Sequence, residues 1–391
     1  MTACSFNEGT DELVSQKENT PNILLIVADD LGYSDLGVYG GEIATPTLDT
    51  LANQGVKFSN FYSAPICSFT RSMLLSGVDN HLSGLGGFDS EGVGLGSVQV
   101  GYEGYLNFRV ASIAELLQDA GYHTIMTGKW HLGLEDDQVP HSRGFEQTYI
   151  MPRGTSSHYS NLAASSKIPT TIYLENGKET ILPEDFYSTK TYTDKMLEYL
   201  NNIEDDKPFF AFASYTAPHW PLQAPDNFIE KYEGRYDGGY DEIMHERLQK
   251  MLKLGLISKI PEDFPRSPMA ANWGDLSDIQ KQKEAKNMAV YAAMVEAMDF
   301  NINRIVENLR SSGKLENTII IFMSDNGADG NDPYHIEDNV SWIPETFTTD
   351  TESLGKPGSF TAYGPGWASV SSAPYKLHKA FSSEEIGRAH V

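Results

Sequence analysis

The run Asn22-Ile23-Leu24-Leu25-Ile26-Val27-Ala28 is followed at once by Asp29-Asp30-Leu31-Gly32. An uninterrupted apolar run rich in β-branched residues predicts a strand that is covered on both faces, as in the parallel sheet of an α/β protein. Open sheets of this class bind ligands beyond the carboxyl ends of their strands. Asp29 and Asp30 are therefore candidate ligand-binding residues, since a helix N-cap would explain one aspartate but not two.

Three further apolar runs end in polar residues in the same way. The runs and the residues that follow them are 124–126 before Lys129 and His131, 208–215 before His219, and 318–323 before Asp325 and Asn326. Because the carboxyl ends of parallel strands meet at one edge of a sheet, we expect these side chains to lie close to Asp29 and Asp30. The predicted fold class is α/β, with a large, mostly parallel sheet flanked by helices.

Apolar residues at helical spacing predict the flanking helices. These helices cover 47–55, 110–120 and 285–309, the last being long and amphipathic. Residues 77–104 are rich in glycine and contain His81, which indicates a surface loop. Residues 223–285 predict a loop and helix insertion over one face, which either shapes substrate access or only covers the sheet edge.

Composition excludes several classes of protein. With 391 residues and 40% hydrophobic content, the chain can bury the core of one large domain or of two smaller ones. A formal net charge of −25 argues against nucleic acid and anionic membranes as partners. Two cysteines exclude a disulfide scaffold and a thiolate zinc site. No segment predicts a transmembrane helix, and any anion site must be built locally from basic groups and a metal.

The stretch Cys67-Ser68-Phe69-Thr70-Arg71 opens a short apolar, helix-like run that ends at Gly77. A cysteine at a helix N-terminus lies where unpaired N–H groups and the helix dipole favour an oxyanion, and Arg71 adds a planar set of donors. Phosphatases that use a thiolate have a longer loop between cysteine and arginine. The alternatives are a buried cysteine without chemistry, or a disulfide between Cys67 and Cys4.

The acidic candidates form an all-oxygen set, which consists of Asp29, Asp30, Asp325 and Asn326. Three carboxylates cannot all stay ionised in one pocket without a cation. Carboxylate and amide oxygens suit a hard divalent ion such as Ca²⁺ or Mg²⁺. Together with the basic residues, such a cation would form an oxyanion site.

From about residue 21 to residue 384 the sequence resembles bacterial arylsulfatases, which are members of the sulfatase family within the alkaline phosphatase superfamily. The matching stretches are Asp29-Asp30, the Cys67 loop, Gly128-Lys129-Trp130-His131-Leu132-Gly133, Ala217-Pro218-His219 and Ser324-Asp325-Asn326-Gly327. In this family the cysteine of a C-x-P-x-R signature is oxidised after translation to formylglycine. Here Phe69 stands in the place of the signature proline.

The resemblance implies a role for each candidate residue. Asp29, Asp30, Asp325 and Asn326 would bind calcium together with the modified Cys67. Arg71 and Lys129 would hold the sulfate and the aldehyde hydrate. His131 would be the base that resolves the intermediate, and His219 and Lys379 would lie on the leaving-group side. For the last position Lys376 is a nearby alternative. One hydroxyl of the hydrate, activated by the metal and Asp325, would attack sulfur while His219 or Lys379 protonates the leaving alcohol. The second hydroxyl, deprotonated by His131, would expel sulfate.

Sulfate ester hydrolysis is thus the predicted activity, on a small-molecule or saccharide sulfate ester that the sequence does not specify further. Two alternatives stay open: a phosphate or phosphonate ester hydrolase on the same scaffold, and an inactive binding homologue if Cys67 is unmodified. A formylglycine-generating maturase is the implied partner. Because proline would restrict the backbone that the maturase reads, Phe69 predicts slower conversion of Cys67.

Both ends of the chain differ from the rest. Residues 1–20 are polar and predict a disordered linker; Thr2-Ala3-Cys4 resembles the end of a bacterial lipoprotein signal, with an ordinary frayed terminus as the alternative. We expect a periplasmic or extracellular location, lipid-anchored if that signal is real, while a cytoplasmic location stays open. Residues 21–384 are the expected catalytic domain. Residues 385–391 break the resemblance and predict a non-native tail in place of a small C-terminal subdomain.

Overall fold

The computed structural model describes residues 20–87, 99–163, 165–263, 266–335, 339–381 and 389–390. Apart from Thr20, the predicted linker lies outside these residues, as does most of the predicted tail. Within them, an α/β architecture is built on one sheet, and this confirms the predicted fold class.

The described residues contribute eight strands to the sheet. They are β1 (Asn22–Ala28), β2 (His123–Lys129), β3 (Gln147–Met151), β4 (Tyr173–Glu175), β5 (Lys178–Thr180), β6 (Phe209–Ser214), β7 (Thr318–Ser324) and β8 (Ala389–His390). Their order is β5-β4-β3-β2-β6-β1-β7-β8. The five strands from β3 to β7 in this order are parallel, and the pairings of β4, β5 and β8 are antiparallel.

Helices cover both faces of the sheet. They are α1 (Pro46–Gln54), α2 (Cys67–Ser76), α3 (Ile113–Asp119), α4 (Ser188–Asn201), α5 (Asp226–Ile229), α6 (Tyr240–Lys253), α7 (Asp278–Ser311), α8 (Asn339–Thr346) and α9 (Gly364–Ser371), with short 3₁₀ turns at Gly37–Tyr39, Pro140–Ser142, Glu230–Tyr232, Trp273–Asp275, Leu315–Asn317 and Pro333–His335. In the described ranges, no helix is both long and apolar enough to cross a membrane.

The predicted helices are present, with shifted starts that capping explains. α3 begins at Ile113 because the hydroxyl of Ser112 accepts from the N–H of Glu115, and the Glu115 carboxylate accepts from the N–H of Ser112 in return. α7 begins earlier than predicted because Ser277 and Gln280 form the same reciprocal cap. The capping pairs thus set the first residues of α3 and α7, which apolar spacing alone does not locate.

The central strand β1 is buried on both faces, as its uninterrupted apolar sequence predicts. Leu24 and Ile26 belong to the cluster that includes the apolar face of α7, and Leu25 and Val27 pack with residues of α2 and β2 on the other face. Each fully buried side chain of this size contributes about 1.5–3 kcal/mol. Burial on both faces therefore fixes β1 firmly, and with it the position of the aspartates that follow.

The insertion at 223–285 contains α5 and α6 and joins the main core. Ile243 and Leu248 of α6 are fully buried in it. The guanidinium of Arg247, also buried, donates to the carboxylates of Asp35 (2.6 Å) and Glu42 (2.7 Å). Helix α6 is therefore attached to the loop that follows Asp29 and Asp30.

Candidate active site

The register of the parallel strands brings their carboxyl ends level. Val27 pairs with Ser214 of β6, and Ala28 pairs with Ser324 of β7. Ser214 in turn pairs with Gly128 of β2. The residues that follow these positions consequently meet at one edge of the sheet, where the sequence predicted them to meet.

Hydrogen bonds of the backbone continue past the strand ends and fix the two aspartates. The N–H of Asp29 donates to the carbonyl of Ala217 (3.1 Å), and the N–H of Asp325 donates to that of Ala28 (3.1 Å). Asp30 adopts a left-handed conformation with φ of 67°, and its N–H donates to Oδ1 of Asp325 (3.3 Å). This turn points the two carboxylates into one buried cluster.

Cys67 is the first residue of α2 and is only 2% exposed. Its Sγ lies 3.8 Å from Oδ1 of Asp30, and Gly77 ends the helix in a left-handed conformation. Cys67 is a free cysteine, and Cys4, its partner in the alternative disulfide, lies outside the described residues. Burial, with added repulsion from Asp29 and Asp325, raises the pKa of the Cys67 thiol well above its ordinary value. An unmodified Cys67 would therefore be a neutral thiol and a poor nucleophile.

Arg71 lies one turn along α2 and is 1% exposed. Its Nε donates to Oδ2 of Asp325 (2.7 Å), and Nη1 donates to Ser214 Oγ (2.5 Å) and to the carbonyl of Lys129 (3.1 Å). Nη2, by contrast, is buried with no hydrogen-bond partner among the described residues. The guanidinium is thus held rigidly on two sides and has a donor left for a ligand.

Lys129 completes the basic side of the cluster. Its Nζ donates to Oδ2 of Asp29 (2.6 Å), and both side chains are fully buried. Burial alone would raise the pKa of Asp29, but the charges of Lys129, Arg71 and Lys379 bring it below its ordinary value. Asp29 therefore remains a carboxylate.

The other two carboxylates are less easily ionised. Burial raises the pKa of Asp30 well above its ordinary value, and the repulsion of Asp29, Asp329 and Asp325 adds to this effect although Lys379 opposes it. Burial and Asp29 likewise raise the pKa of Asp325, against Arg71. The cluster as a whole has more carboxylates than its basic groups can neutralise, which favours binding of a cation.

Several atoms in the cluster suit a metal ion. Asp29, Asp30, Cys67 and His219 each offer one ligand atom, and these atoms lie within 4.8 Å of one another. Oδ1 of Asp29 and Oδ1 of Asn326 are buried and have no hydrogen-bond partner in the part of the chain described. An unsatisfied buried oxygen costs about 1–3 kcal/mol, and a hard cation would satisfy both.

Two members of the predicted metal set have additional partners. Asn326 donates through Nδ2 to Oδ1 of Asp30 (2.6 Å), so its amide lies directly beside the first pair of aspartates. The carboxylate of Asp325 is engaged by Arg71 and by the N–H of Asp30. The structure therefore brings all four predicted oxygen ligands together near Cys67, and adds His219 as a further residue with a ligand atom within reach.

His219 and Lys379 both lie beside Asp30, whereas Arg71 contacts Asp325 and Lys129 contacts Asp29. Nζ of Lys379 is 2.8 Å from Oδ1 of Asp30, and Nε2 of His219 is 3.4 Å from Oδ2. Lys379 is buried, whereas the nearby Lys376 is exposed, which favours Lys379 as the lysine of the site. Burial would lower the pKa of Lys379, but Asp30 and Asp329 raise it well above its ordinary value. Lys379 is therefore a permanent cation.

The protonation of His219 follows from its neighbours. Its Nδ1 is 2.6 Å from the carbonyl of Trp220, which can only accept, so Nδ1 carries the proton. Burial and the charges of Lys379 and Lys129 hold the pKa of His219 well below its ordinary value. The neutral ring thus presents an unprotonated Nε2 to Asp30.

His131 is positioned by the loop that follows β3. It has a left-handed backbone with φ of 62°, and its N–H donates to the carbonyl of Pro152 (3.0 Å). Gly154 lies so close to the ring that a Cβ there would be 2.7 Å from Cε1. Burial, with Lys129, Arg71 and Lys379, lowers the pKa of His131 well below its ordinary value. His131 is therefore a neutral imidazole that can accept a proton.

Two contributors to the site were missing from the sequence predictions. Ser214 is the last residue of β6, and its hydroxyl accepts from Arg71 and donates to the carbonyl of Lys129 (2.6 Å). Burial alone would raise the pKa of Asp329, but Lys379, 3.3 Å away, and His219 lower it to about 2. The position of Ser214 at a strand end was the available signal for the first; Asp329 follows Asp325-Asn326-Gly327 but has no periodic pattern of its own.

Comparison with known proteins matches the chain to one family. The family model described as Sulfatase covers residues 21–351. The chain belongs to the sulfatase family. An uncharacterized sulfatase of Schizosaccharomyces pombe is 42% identical over 93% of this chain and 68% of its own length. An arylsulfatase of Klebsiella aerogenes is 38% identical over 94% of this chain and 79% of its own length.

Solved structures show the same fold. The crystal structure of Ps i-CgsB is 25% identical to this chain, with a TM-score of 0.63, and the match covers 95% of this chain and 65% of that one. The structure of BT4656 in complex with its substrate, D-glucosamine-2-N,6-O-disulfate, matches with 24% identity and a TM-score of 0.56 over 79% of this chain and 66% of that one. The predicted sulfatase fold is confirmed, and the chain is a sulfuric ester hydrolase, as the sequence predicted.

Proposed function

We propose that this sulfatase uses two groups: a formylglycine, which is formed from Cys67, and a divalent cation, preferably Ca²⁺. Asp29, Asp30, Asp325 and Asn326 hold the cation. The observation that carries the proposal is that the cluster around Cys67 contains two kinds of buried atom without a hydrogen-bond partner. Oδ1 of Asp29 and of Asn326 favours a cation, and Nη2 of Arg71 favours an anion.

The modified residue and the cation supply chemistry that the standard side chains lack. A formylglycine hydrate supplies one hydroxyl to attack sulfur and a second to expel sulfate, and a divalent cation supplies positive charge that stabilises the transition state. A neutral thiol, which is what an unmodified Cys67 would be, offers no comparable route.

The residues of the chain provide binding and proton transfer. Nη2 of Arg71 and Nζ of Lys129 bind sulfate oxygens at the N-terminus of α2, where the helix dipole also favours an anion. His131, as a neutral imidazole, accepts the proton of the hydroxyl that expels sulfate. Lys379 donates a hydrogen bond and positive charge to the leaving oxygen. Because Nε2 of neutral His219 is unprotonated, Lys379 rather than His219 fills this role.

We propose an aryl or saccharide sulfate ester as the substrate. The arylsulfatase of Klebsiella aerogenes, which is 38% identical, supports the first class. An N-acetylglucosamine-6-O-sulfatase of Bacteroides thetaiotaomicron, which is 28% identical over 80% of this chain, supports the second. The expected periplasmic or extracellular location stays a prediction from sequence, because residues 1–19 lie outside those described.

The test combines mass analysis with paired substrates. The protein is produced with a formylglycine-generating maturase, and the mass of the peptide containing Cys67 is measured together with turnover of 4-nitrophenyl sulfate and 4-nitrophenyl phosphate. We expect formylglycine at position 67, faster turnover of the sulfate, and loss of activity in Cys67→Ala. Faster turnover of the phosphate would instead support the phosphoesterase alternative. An unmodified, inactive protein that still binds sulfate would support the binding homologue.

A further inference from the structure

Asp329 is a buried carboxylate that no step above requires. It is 4% exposed, and both of its oxygens are engaged. Oδ1 accepts from the N–H (2.9 Å) and from Nδ2 (2.6 Å) of Asn331. Oδ2 accepts from Nε1 of Trp220 (2.9 Å) and from Nζ of Lys379 (3.3 Å). Two fixed donors on one side therefore orient the oxygen that faces Lys379.

Trp220 connects the same carboxylate to His219. Its ring lies 4.6 Å from that of His219 between centroids, and its carbonyl accepts from Nδ1 of His219. Its ring also contacts the ring of Phe360, with 5.9 Å between centroids, and its carbonyl also accepts from the hydroxyl of Thr155 (2.9 Å). Trp220 thus contacts two rings, and its indole N–H donates to Asp329.

Lys379 has two carboxylate partners with different roles. Asp30 accepts from Nζ at 2.8 and 2.9 Å, but Asp30 also belongs to the group of atoms that can hold a metal ion. A cation on Asp30 would compete with the ammonium for the same oxygens. Asp329 is outside that group of atoms and has no such competitor. It is therefore the partner that can keep Lys379 in place in every state of the site.

We propose that Asp329 is a positioning residue which, oriented by Trp220, holds the ammonium of Lys379 toward the leaving oxygen of the sulfate ester. The inference rests on the proposed function, because it assumes that Lys379 faces the leaving group. Asp329 itself touches neither substrate nor metal. Its effect is confined to the step in which negative charge grows on the leaving oxygen.

This role predicts a dependence on the leaving group that a purely structural role does not. A phenol of low pKa departs without help, whereas a phenol of high pKa or an alcohol needs a donor. Loss of a well-placed donor typically lowers the rate 10²–10⁴-fold for such esters. Misplacing Lys379 should therefore slow poor leaving groups far more than good ones.

The experiment compares Asp329→Asn with wild type on a series of aryl sulfates that differ only in the pKa of the phenol, from 4-nitrophenyl sulfate to 4-methylphenyl sulfate. We expect kcat/KM to fall about tenfold or more for 4-methylphenyl sulfate and much less for 4-nitrophenyl sulfate. Asp329→Glu, which keeps the charge, should restore part of the loss. Trp220→Phe, which removes the indole N–H but keeps an aromatic ring, should steepen the dependence on phenol pKa by a smaller amount.

Asp299→Asn is the matched control, because Asp299 is equally buried and accepts from the backbone N–H groups of Thr47 and Leu48 far from the cluster. It should lower the melting temperature without changing the leaving-group dependence. An equal loss on all esters in Asp329→Asn would overturn the inference. If Asp329→Asn does not fold, an unchanged dependence in Trp220→Phe overturns it instead. A wild-type protein that hydrolyses none of the sulfates would contradict the proposed function rather than this inference.

Discussion

At the scale of single residues, Phe69 shows how one substitution in a family signature can leave the folded site intact. Its side chain is half-buried and packs against the core cluster that includes Leu75 and Trp130, not against the carboxylates. Its N–H donates to the carbonyl of Ile66 (3.1 Å) in the first turn of α2. Since proline is tolerated in the first turn of a helix, the folded protein can accept proline at this position.

We therefore predict that Phe69→Pro raises the fraction of Cys67 that is converted to formylglycine, while activity per aldehyde changes little. The physical reason is that proline restricts Ser68 in the unfolded segment that the maturase reads. Mass analysis of the Cys67 peptide and titration of the aldehyde measure both quantities. Phe69→Ala is the control, since it removes the ring without adding the restriction. A drop in activity per aldehyde in Phe69→Pro alone would show that the N–H of residue 69 serves the site.

Residue patterns predicted the acidic and basic members of the site because each follows a buried strand. Asp29, Lys129 and Asp325 come directly after or at the end of apolar runs that are evident from sequence alone. Asp329 and Ser214 could not be assigned in this way. Their importance depends on contacts with Lys379 and Arg71, which are distant in sequence, and no local pattern encodes such contacts.

At the scale of elements, the strands that were predicted are the four longest, β1, β2, β6 and β7. Three of them are buried almost throughout, whereas β7 is buried only from Phe322 onward. β3 has five residues, and β4 and β5 have three each, which is too short for a periodic signal. The hairpin between β4 and β5 did have a local signal, because Asn176-Gly177 adopts left-handed conformations with φ of 50° and 77°, as a two-residue hairpin turn requires. Turn chemistry, rather than hydrophobic pattern, would have located this part of the sheet.

Helix α6 contains a buried arginine that pairs with two buried carboxylates. Removing the guanidinium in Arg247→Met leaves Asp35 and Glu42 as buried carboxylates, and we expect a loss of about 3–5 kcal/mol in the free energy of unfolding at neutral pH. Urea titration measures this loss. Lys250→Met on the same helix is the control, since Lys250 donates only to the carbonyl of Gly41 (3.0 Å), and its loss should be much smaller. Equal losses in the two variants would mean that the buried charges are not what attaches α6.

The ion pair between Arg247 and Glu42 predicts how the free energy of unfolding depends on pH. Burial would raise the pKa of Glu42, but Arg247 lowers it to about 2, below its value of about 4.5 in an unfolded chain. The stability that Glu42 contributes is thus fully present above pH 4.5 and is lost as the pH falls toward 2. Glu42→Gln should make the unfolding free energy less dependent on pH in this window, as urea titrations at several acid pH values would show.

Helix α7 contains a carboxyl group with the opposite behaviour. Burial raises the pKa of Glu284 to about 7, although the hydroxyl of Tyr240 donates to it at 3.0 Å. The folded protein therefore retains this proton between pH 4.5 and 7, and stability decreases as the pH rises through that range. We predict that Glu284→Gln abolishes this decrease and stabilises the protein at pH 8 by about 1–3 kcal/mol. Melting temperatures of both proteins from pH 5 to pH 8 measure the difference; parallel curves would contradict it.

At the scale of the whole molecule, a cation would stabilise the folded chain as well as the transition state. Asp29, Asp30 and Asp325 come from strand ends almost 300 residues apart, and an ion that binds all three links them only in the folded state. We predict that a chelator lowers the melting temperature at neutral pH and abolishes turnover, and that Ca²⁺ restores both. An ion at a concentration of 100 times its Kd adds about 2.7 kcal/mol to the free energy of unfolding. In Asp30→Asn the melting temperature should no longer respond to Ca²⁺; an equal response would place the ion elsewhere.

The distance along the chain between Cys67 and the residues that enclose it limits the time available for modification. Cys67 is enclosed by side chains from near both ends of the chain, since its neighbours include Asp30 and the cluster that Lys379 completes. During synthesis at roughly 5–20 residues per second, about 300 residues separate Cys67 from Lys379, which corresponds to roughly 15–60 s. During that interval the residues that complete the enclosure of the cysteine have not yet been synthesised. Conversion to formylglycine therefore competes with elongation, and slower translation downstream of Cys67 should increase the yield of modified enzyme.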